Sequence, residues 1–150
     1  MKKRNRTDFI VIHASATKTT MDIGAAEIRK WHTSPDKNDP SKPWQDIGYH
    51  YVIRRDGTLE DGRDLNTVGS HVAGYNSRSV GICLVGGVSD TGRSENNFTK
   101  EQFQTLETLV KKLTKVWPHA IVQGHRDFPN VKKDCPCFDV RDWWDNVSDN

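Results

Sequence analysis

Two short apolar runs most constrain how this chain can fold: Phe9-Ile10-Val11-Ile12, which leads into His13-Ala14, and Val80 to Val85, which stops at Gly86-Gly87. Each is too short for an ordinary helix and too continuously apolar for a surface segment. Such runs read as strands covered on both faces. Around them the period changes. Phe103, Leu106, Leu109, Val110, Leu113 and Val116-Trp117 recur at helical spacing behind Thr99 and Gln102, which match a capping box, and Pro118 should end that helix. Asp22 to His32 also reads as helical, with Ala25, Ile28 and Trp31 three apart on one face. Ser34 to Trp44, with its prolines, reads as an irregular surface loop. Tyr49 to Arg54 alternates, and Asp56-Gly57 signals a hairpin turn into Thr58-Leu59. Ala120 to Gln123 is expected as a strand that delivers His125 to the loop at its end, and Val140 to Asn146 as a short amphipathic helix burying Trp143 or Trp144. Strands alternating with helices predict an α/β fold, a single domain with a mixed central β-sheet flanked by helices.

A chain of 150 residues with 34% hydrophobic content suits one domain with a real core. Residues 1–7, carrying the basic cluster Lys2-Lys3-Arg4-Asn5-Arg6, are expected as a flexible, solvated tail, and residues 8–150 as the domain. A net charge of +2, from 22 basic and 20 acidic residues, gives no large basic face, so no nucleic-acid partner is expected. Phe9 to Ile12 is too short for the core of a secretory leader. No run approaches the roughly 18 apolar residues of a membrane span, so membrane insertion is not expected. The three cysteines, Cys83, Cys135 and Cys137, make no even-numbered disulfide framework and fit a reducing compartment and a metal site better. Cys83, inside a strand, reads as a small buried hydrophobe.

The chemistry gathers near the end of the chain. His125, in Gly124-His125-Arg126-Asp127, stands one loop before Cys135-Pro136-Cys137-Phe138-Asp139, and His13 closes the first apolar run. Either histidine alone is more readily a hydrogen-bonded core residue than a ligand. A thiolate one loop away changes the balance, because it is a soft, anionic ligand that zinc prefers and that calcium or magnesium avoids. Three protein ligands with a fourth position open to water is the catalytic arrangement of zinc, whereas structural sites take four. Cys137 could replace Cys135 or join it to close the site, although Pro136 makes a Cys-x-Cys chelate awkward, and both readings stand at this point. Asp127 and Asp139 are candidates to orient the ligand histidines from behind.

The blocks Val11-Ile12-His13-Ala14-Ser15-Ala16-Thr17, Ile28-Arg29-Lys30-Trp31-His32, Asp46-Ile47-Gly48-Tyr49-His50-Tyr51, Arg55-Asp56-Gly57, Gly62-Arg63, Val80 to Gly87 and Gly124-His125-Arg126-Asp127 together resemble the type-2 N-acetylmuramoyl-L-alanine amidases. That family includes the phage amidase lysozymes and is homologous to the peptidoglycan recognition proteins. The resemblance puts His13, His125 and Cys135 on the family's zinc ligands and Tyr49 on its catalytic tyrosine. It puts Lys133 on the lysine of the Lys-x-Cys-Pro motif. The loop before Cys135 is longer than in the shortest phage members, so Lys132 is a second candidate, with register from the Cys-Pro end favouring Lys133. His71 and Asn76 match positions near the substrate groove.

What the resemblance implies is a zinc-dependent endolysin, one Zn2+ per chain, that hydrolyses the amide between the lactyl group of N-acetylmuramic acid and L-alanine of peptidoglycan. It implies a compact single-domain enzyme, a monomer made in the host cytoplasm that reaches the periplasmic cell wall after release, for host lysis. The residue types suit the reaction, since zinc acidifies water and a tyrosine hydroxyl and a lysine ammonium can stabilise an oxyanion. Tyr49 would be a poor base with a phenol pKa of about 10 unless its surroundings lowered it. No carboxylate pair marks a glycosidase. Two other classes remain as alternatives: a non-catalytic peptidoglycan-binding protein, and a regulatory protein, since some phage members of the family inhibit their phage's RNA polymerase and the tail Met1 to Thr7 is the kind of segment that could bind it.

Overall fold

The two apolar runs lie side by side at the centre of a sheet. In the computed structural model, which describes residues 1–149, the chain forms β1 (Phe9–Ala14), β2 (Thr17–Lys18), α1 (Ala25–His32), β3 (Tyr51–Ile53), β4 (Leu59–Asp61), β5 (Ser79–Leu84), β6 (Gly87–Val88), α2 (Lys100–Val116), β7 (Ile121–Gly124) and α3 (Val140–Val147). The central sheet runs β4-β3-β5-β1-β7. β3, β5, β1 and β7 are mutually parallel, and β4 alone is antiparallel, returning from β3 through the Asp56-Gly57 turn. Gly57 has φ of +90°, a left-handed conformation that strains residues with a side chain. β2 and β6 form a separate parallel pair that the sequence reading did not foresee.

Alternation along the strands divides the core. Ile10, Ile12, Val80, Ile82 and Leu84 pack with Leu106, Leu109, Val110 and Leu113 of α2 and with Val140 of α3. The intervening residues serve the other face, Cys83 with Ala25 and Ile28 of α1, and Val11 with Val72 and Phe128. Both faces of the sheet are therefore covered, as continuous apolar strands require.

The capping box forms as expected: Thr99 Oγ1 accepts from the Gln102 amide at 3.1 Å and Gln102 Oε1 accepts from the Thr99 amide at 2.9 Å. Gln102 Nε2 also donates to the carbonyls of Ile53 and Val85, so a fully buried glutamine joins the start of α2 to the ends of β3 and β5. α2 stops at Val116, just ahead of Pro118.

Two expectations meet a different arrangement, and the basic start of the chain, mostly exposed, makes contacts of its own. Trp31 is 41% exposed while Ala25 and Ile28 are buried. A spacing of three drifts about 60° per step around a helix, so the third residue leaves the face that the first two share. Trp143 and Trp144 both pack partly against the core, and the fully buried residue of α3 is Val140. The start of the chain lies along the 64–68 loop: Lys3 bridges Thr67, the Arg4 amide donates to Asn66 O, and the Arg4 guanidinium donates to Leu65 O and sits over the Trp117 ring. A run of basic residues reads as solvated, but guanidinium stacks on rings and bonds carbonyls. Among the described residues, no helix is long and apolar enough to cross a membrane.

Candidate metal centre

The site stands at the carboxyl ends of the parallel strands, where open α/β sheets place their ligands. Ile12 of β1 is paired with Gly124 of β7. The residues that follow, His13 and His125, therefore leave neighbouring strands one step past the same rung, with ring centroids 4.7 Å apart. Cys135 arrives on the loop after β7. That loop is closed by the Arg126 amide donating to the Cys135 carbonyl at 2.8 Å and by an Arg126–Asp134 ion pair at 2.6 Å. Cys135 Sγ lies 4.0 Å from His13 Nδ1 and accepts from the Ala14 amide at 3.2 Å. One donor atom each from His13, His125 and Cys135 lies within 4.8 Å of the others, the one such group among the described residues. Cys137 is outside it, its thiol donating to the Gly87 carbonyl at 3.3 Å.

The electrostatics leave both imidazoles neutral. Burial holds His13 well below the usual imidazole value, with His71, His125 and Lys133 adding to the shift, and burial with Lys133 lowers His125. Both rings are thus in the neutral form that ligates metals. Burial pushes the Cys135 thiol up to about 11, opposed by the Ala14 amide. Two neutral imidazoles and one thiolate suit a borderline-soft ion such as zinc, and a bound cation would supply the charge that a buried thiolate needs.

The cluster opens into a groove of about 480 Å3 that Tyr49 and Lys133 also line, whereas Lys132 is not among its walls. The Tyr49 ring lies 5.0 Å from that of His13. Burial, with the Cys83 and Cys135 thiols close by, raises the Tyr49 phenol well above its ordinary pKa, the opposite of what a base requires. A further wall comes from His32 and Trp44, ring centroids 4.7 Å apart. Sequence reasoning passed over both. Trp44 sits at the end of the proline-rich loop, and His32 gains its place only because its Nδ1 accepts from the Gly48 amide at 2.9 Å, beside Tyr49.

The profile of the N-acetylmuramoyl-L-alanine amidases matches residues 3–138. The chain belongs to this family. It is 49% identical over 143 residues to the endolysin of Klebsiella phage KP32, covering 95% of this chain and 89% of that one. It is 47% identical over 141 residues to the endolysin of Enterobacteria phage K11, covering 94% and 87%. Among solved structures, N-acetylmuramoyl-L-alanine amidase LysC from Clostridium intestinale superposes with a TM-score of 0.72 at 26% identity, covering 96% of this chain and 84% of that one.

Within this amidase, His71 lines the groove and, with Asn76, borders a smaller hollow of about 340 Å3 beside it, while both ring nitrogens of His71 and Oδ1 of Asn76 are engaged with the protein. His71 Nδ1 lies 2.9 Å from His13 Nε2, and His71 Nε2 lies 3.1 Å from Ser79 Oγ. Asn76 Oδ1 accepts from the amides of His71 and Val72, each at 2.8 Å. The two aspartates expected behind the histidines hold backbone instead. Asp127 accepts from the Gly124 amide at 2.8 Å, and Asp139 caps α3 by accepting from the Asp142 amide. The group that meets a candidate ligand ring is thus an imidazole, and no local pattern marks it, because His71 reaches His13 only after β1 and β5 pair.

Proposed function

We propose that this amidase is a zinc-dependent endolysin that cuts the amide between the lactyl group of N-acetylmuramic acid and L-alanine in peptidoglycan, in the course of host lysis. The observation that carries the reading is the cluster of His13, His125 and Cys135 at the floor of a groove that also presents Tyr49 and Lys133. The phage relatives named endolysins, matched over nearly their whole length, support the lytic role.

His13, His125 and Cys135 would hold the zinc, with Cys137 kept apart by its bond to Gly87. When bound, zinc supplies a Lewis acid that lowers the pKa of water toward about 7 and polarises the scissile carbonyl. Tyr49, held protonated by burial, donates a hydrogen bond to the carbonyl oxygen as that atom gains charge. It does not take a proton from water near neutral pH. The Lys133 ammonium, exposed at the groove's rim, adds positive charge to the same developing oxyanion. His32 and Trp44 shape the adjoining wall and keep bulk water from one side of the reacting amide.

Mass spectrometry of purified sacculi digested with the protein tests this, with and without a zinc chelator and alongside Cys135→Ala. Free stem peptides beginning with L-alanine are expected, and are expected to vanish on chelation and in the variant. Intact muramyl-peptide linkages after treatment with folded, zinc-loaded protein would overturn the reading.

A further inference from the structure

We propose that His71 is a positioning residue that fixes the tautomer of His13, through a chain of hydrogen bonds that begins at the Tyr75 carbonyl and runs through the Ser79 hydroxyl. The proposal rests on the reading of His13 as a metal ligand, and it concerns which ring nitrogen of His13 carries the lone pair.

The direction of every hydrogen in the chain follows from its far end. Ser79 Oγ lies 2.8 Å from the Tyr75 carbonyl, which can only accept, so the single hydroxyl hydrogen points there. Toward His71 Nε2, 3.1 Å away, Ser79 Oγ is left as acceptor, and His71 must carry its hydrogen on Nε2. Two N–H groups cannot face each other across the 2.9 Å between His13 Nε2 and His71 Nδ1, and a neutral imidazole has one N–H. His71 Nδ1 is therefore an acceptor, and His13 Nε2, 2.9 Å away, donates to it. The remaining nitrogen of His13, Nδ1, faces Cys135 Sγ with its lone pair available. One backbone carbonyl thus determines, three links away, that the nitrogen turned toward the metal cluster is the one able to ligate.

The surroundings are built for this. Asn76 clamps the backbone of His71 and opens a short 3-10 turn, Asn76–Arg78, that delivers Ser79, so one short segment holds both the ring and the hydroxyl. Gly81 of β5 lies against the ring: a Cβ there would stand 2.7 Å from His71 Cγ, so the missing side chain makes the room. The His13 and His71 rings meet edge to face, at 5.0 Å between centroids and 82° between planes. Carboxylates and backbone carbonyls are the usual partners behind a ligand histidine. A neutral imidazole orients the ring without adding negative charge, which leaves the thiolate of Cys135 as the one anionic ligand and keeps the ion's pull on water strong.

The test uses 15N-histidine-labelled, zinc-free protein, with tautomers read from long-range proton–nitrogen correlations and zinc affinity read by competition with a chromophoric chelator. Wild type is expected to carry the hydrogen on Nε2 in both His13 and His71. His71→Leu removes the acceptor and is expected to weaken zinc binding about 10- to 100-fold, with His13 becoming a tautomer mixture. His71→Gln offers a carboxamide oxygen to His13 Nε2 and is expected to restore most of the affinity, a rescue that a merely structural role would not give. Ser79→Ala is expected to leave the rings in place and release the tautomer of His71.

A hydrogen on His13 Nδ1 in wild type overturns the proposal, as does a His71→Leu protein with unchanged tautomer and wild-type zinc affinity. If His71→Leu fails to fold, unchanged tautomers in Ser79→Ala overturn it. Failure of wild type to bind zinc would count against the metal reading instead, and the tautomers of the zinc-free protein would still decide the relay.

Discussion

The backbone amide of Ala14 donates to the sulfur of Cys135 across 3.2 Å, joining the end of the first strand to a loop from the far end of the chain. Burial nevertheless holds that thiol up to about 11, so near neutral pH the metal-free protein keeps it protonated. A zinc ion held by Cys135 would have to displace the proton. With the histidines already neutral, apparent zinc affinity is expected to rise about tenfold per pH unit through the neutral range, as one thiol proton is released. Chelator competition at several pH values checks this, and an affinity that does not change with pH would contradict it.

Cys137 offers a direct contrast. Its thiol is directed to the Gly87 carbonyl and lies outside the ligand cluster, so Cys137→Ser is expected to leave zinc affinity unchanged while Cys135→Ser abolishes tight binding. X-ray absorption of the zinc-loaded protein should show a single sulfur neighbour. Two sulfurs would mean a closed, structural site.

Tyr49→Phe keeps the ring that packs 5.0 Å from His13 and removes only the hydroxyl. The expected result is a fall in kcat of about a hundredfold, with zinc affinity and melting temperature unchanged. Lys133→Ala should fall in the same range, and Lys132→Ala, at a residue outside the groove, should not. Steady-state rates on soluble muramyl peptides would measure all three, and a fully active Tyr49→Phe enzyme would remove the tyrosine from the mechanism.

Acid should unfold the metal-free protein through its histidines. Burial lowers the pKa of His50 to about 4 and holds His13 and His71 well below the usual value. As pH falls below about 6.5 the unfolded chain takes up protons that the folded chain refuses, so stability rises with pH across this window and is lost as pH falls toward 4. His50, which is 1% exposed, accounts for on the order of 3 kcal/mol at the acid limit. Thermal melts between about pH 7 and pH 5 should show a falling Tm. A flat profile would mean that these rings are not held neutral.

Gly81→Ala forces a methyl group to within 2.7 Å of the His71 ring. The expected cost is about 1–3 kcal/mol in denaturant unfolding, together with weaker zinc binding as His71 is pushed against His13. Unchanged stability and affinity would show that the ring has room to move.

The sequence by itself marked the main strands and helices and a candidate set of metal ligands. Period and capping are properties of near neighbours, so β1, β5 and the box that starts α2 were legible, and so were His13, His125 and Cys135 as a possible zinc set. Tertiary structure alone decided the rest. Pairing of β1 with β7 puts His13 and His125 one step past the same rung, and the Cys137 thiol is turned to the Gly87 carbonyl, outside the cluster. Burial raises the Tyr49 phenol further above a value that already leaves it protonated, and pairing of β1 with β5 brings His71 behind His13, a place for which Asp127 and Asp139 were the candidates. Ligand types are written in residue identity, but the proton positions that let them work depend on burial and on partners distant in sequence. Those exist only once the strands have paired.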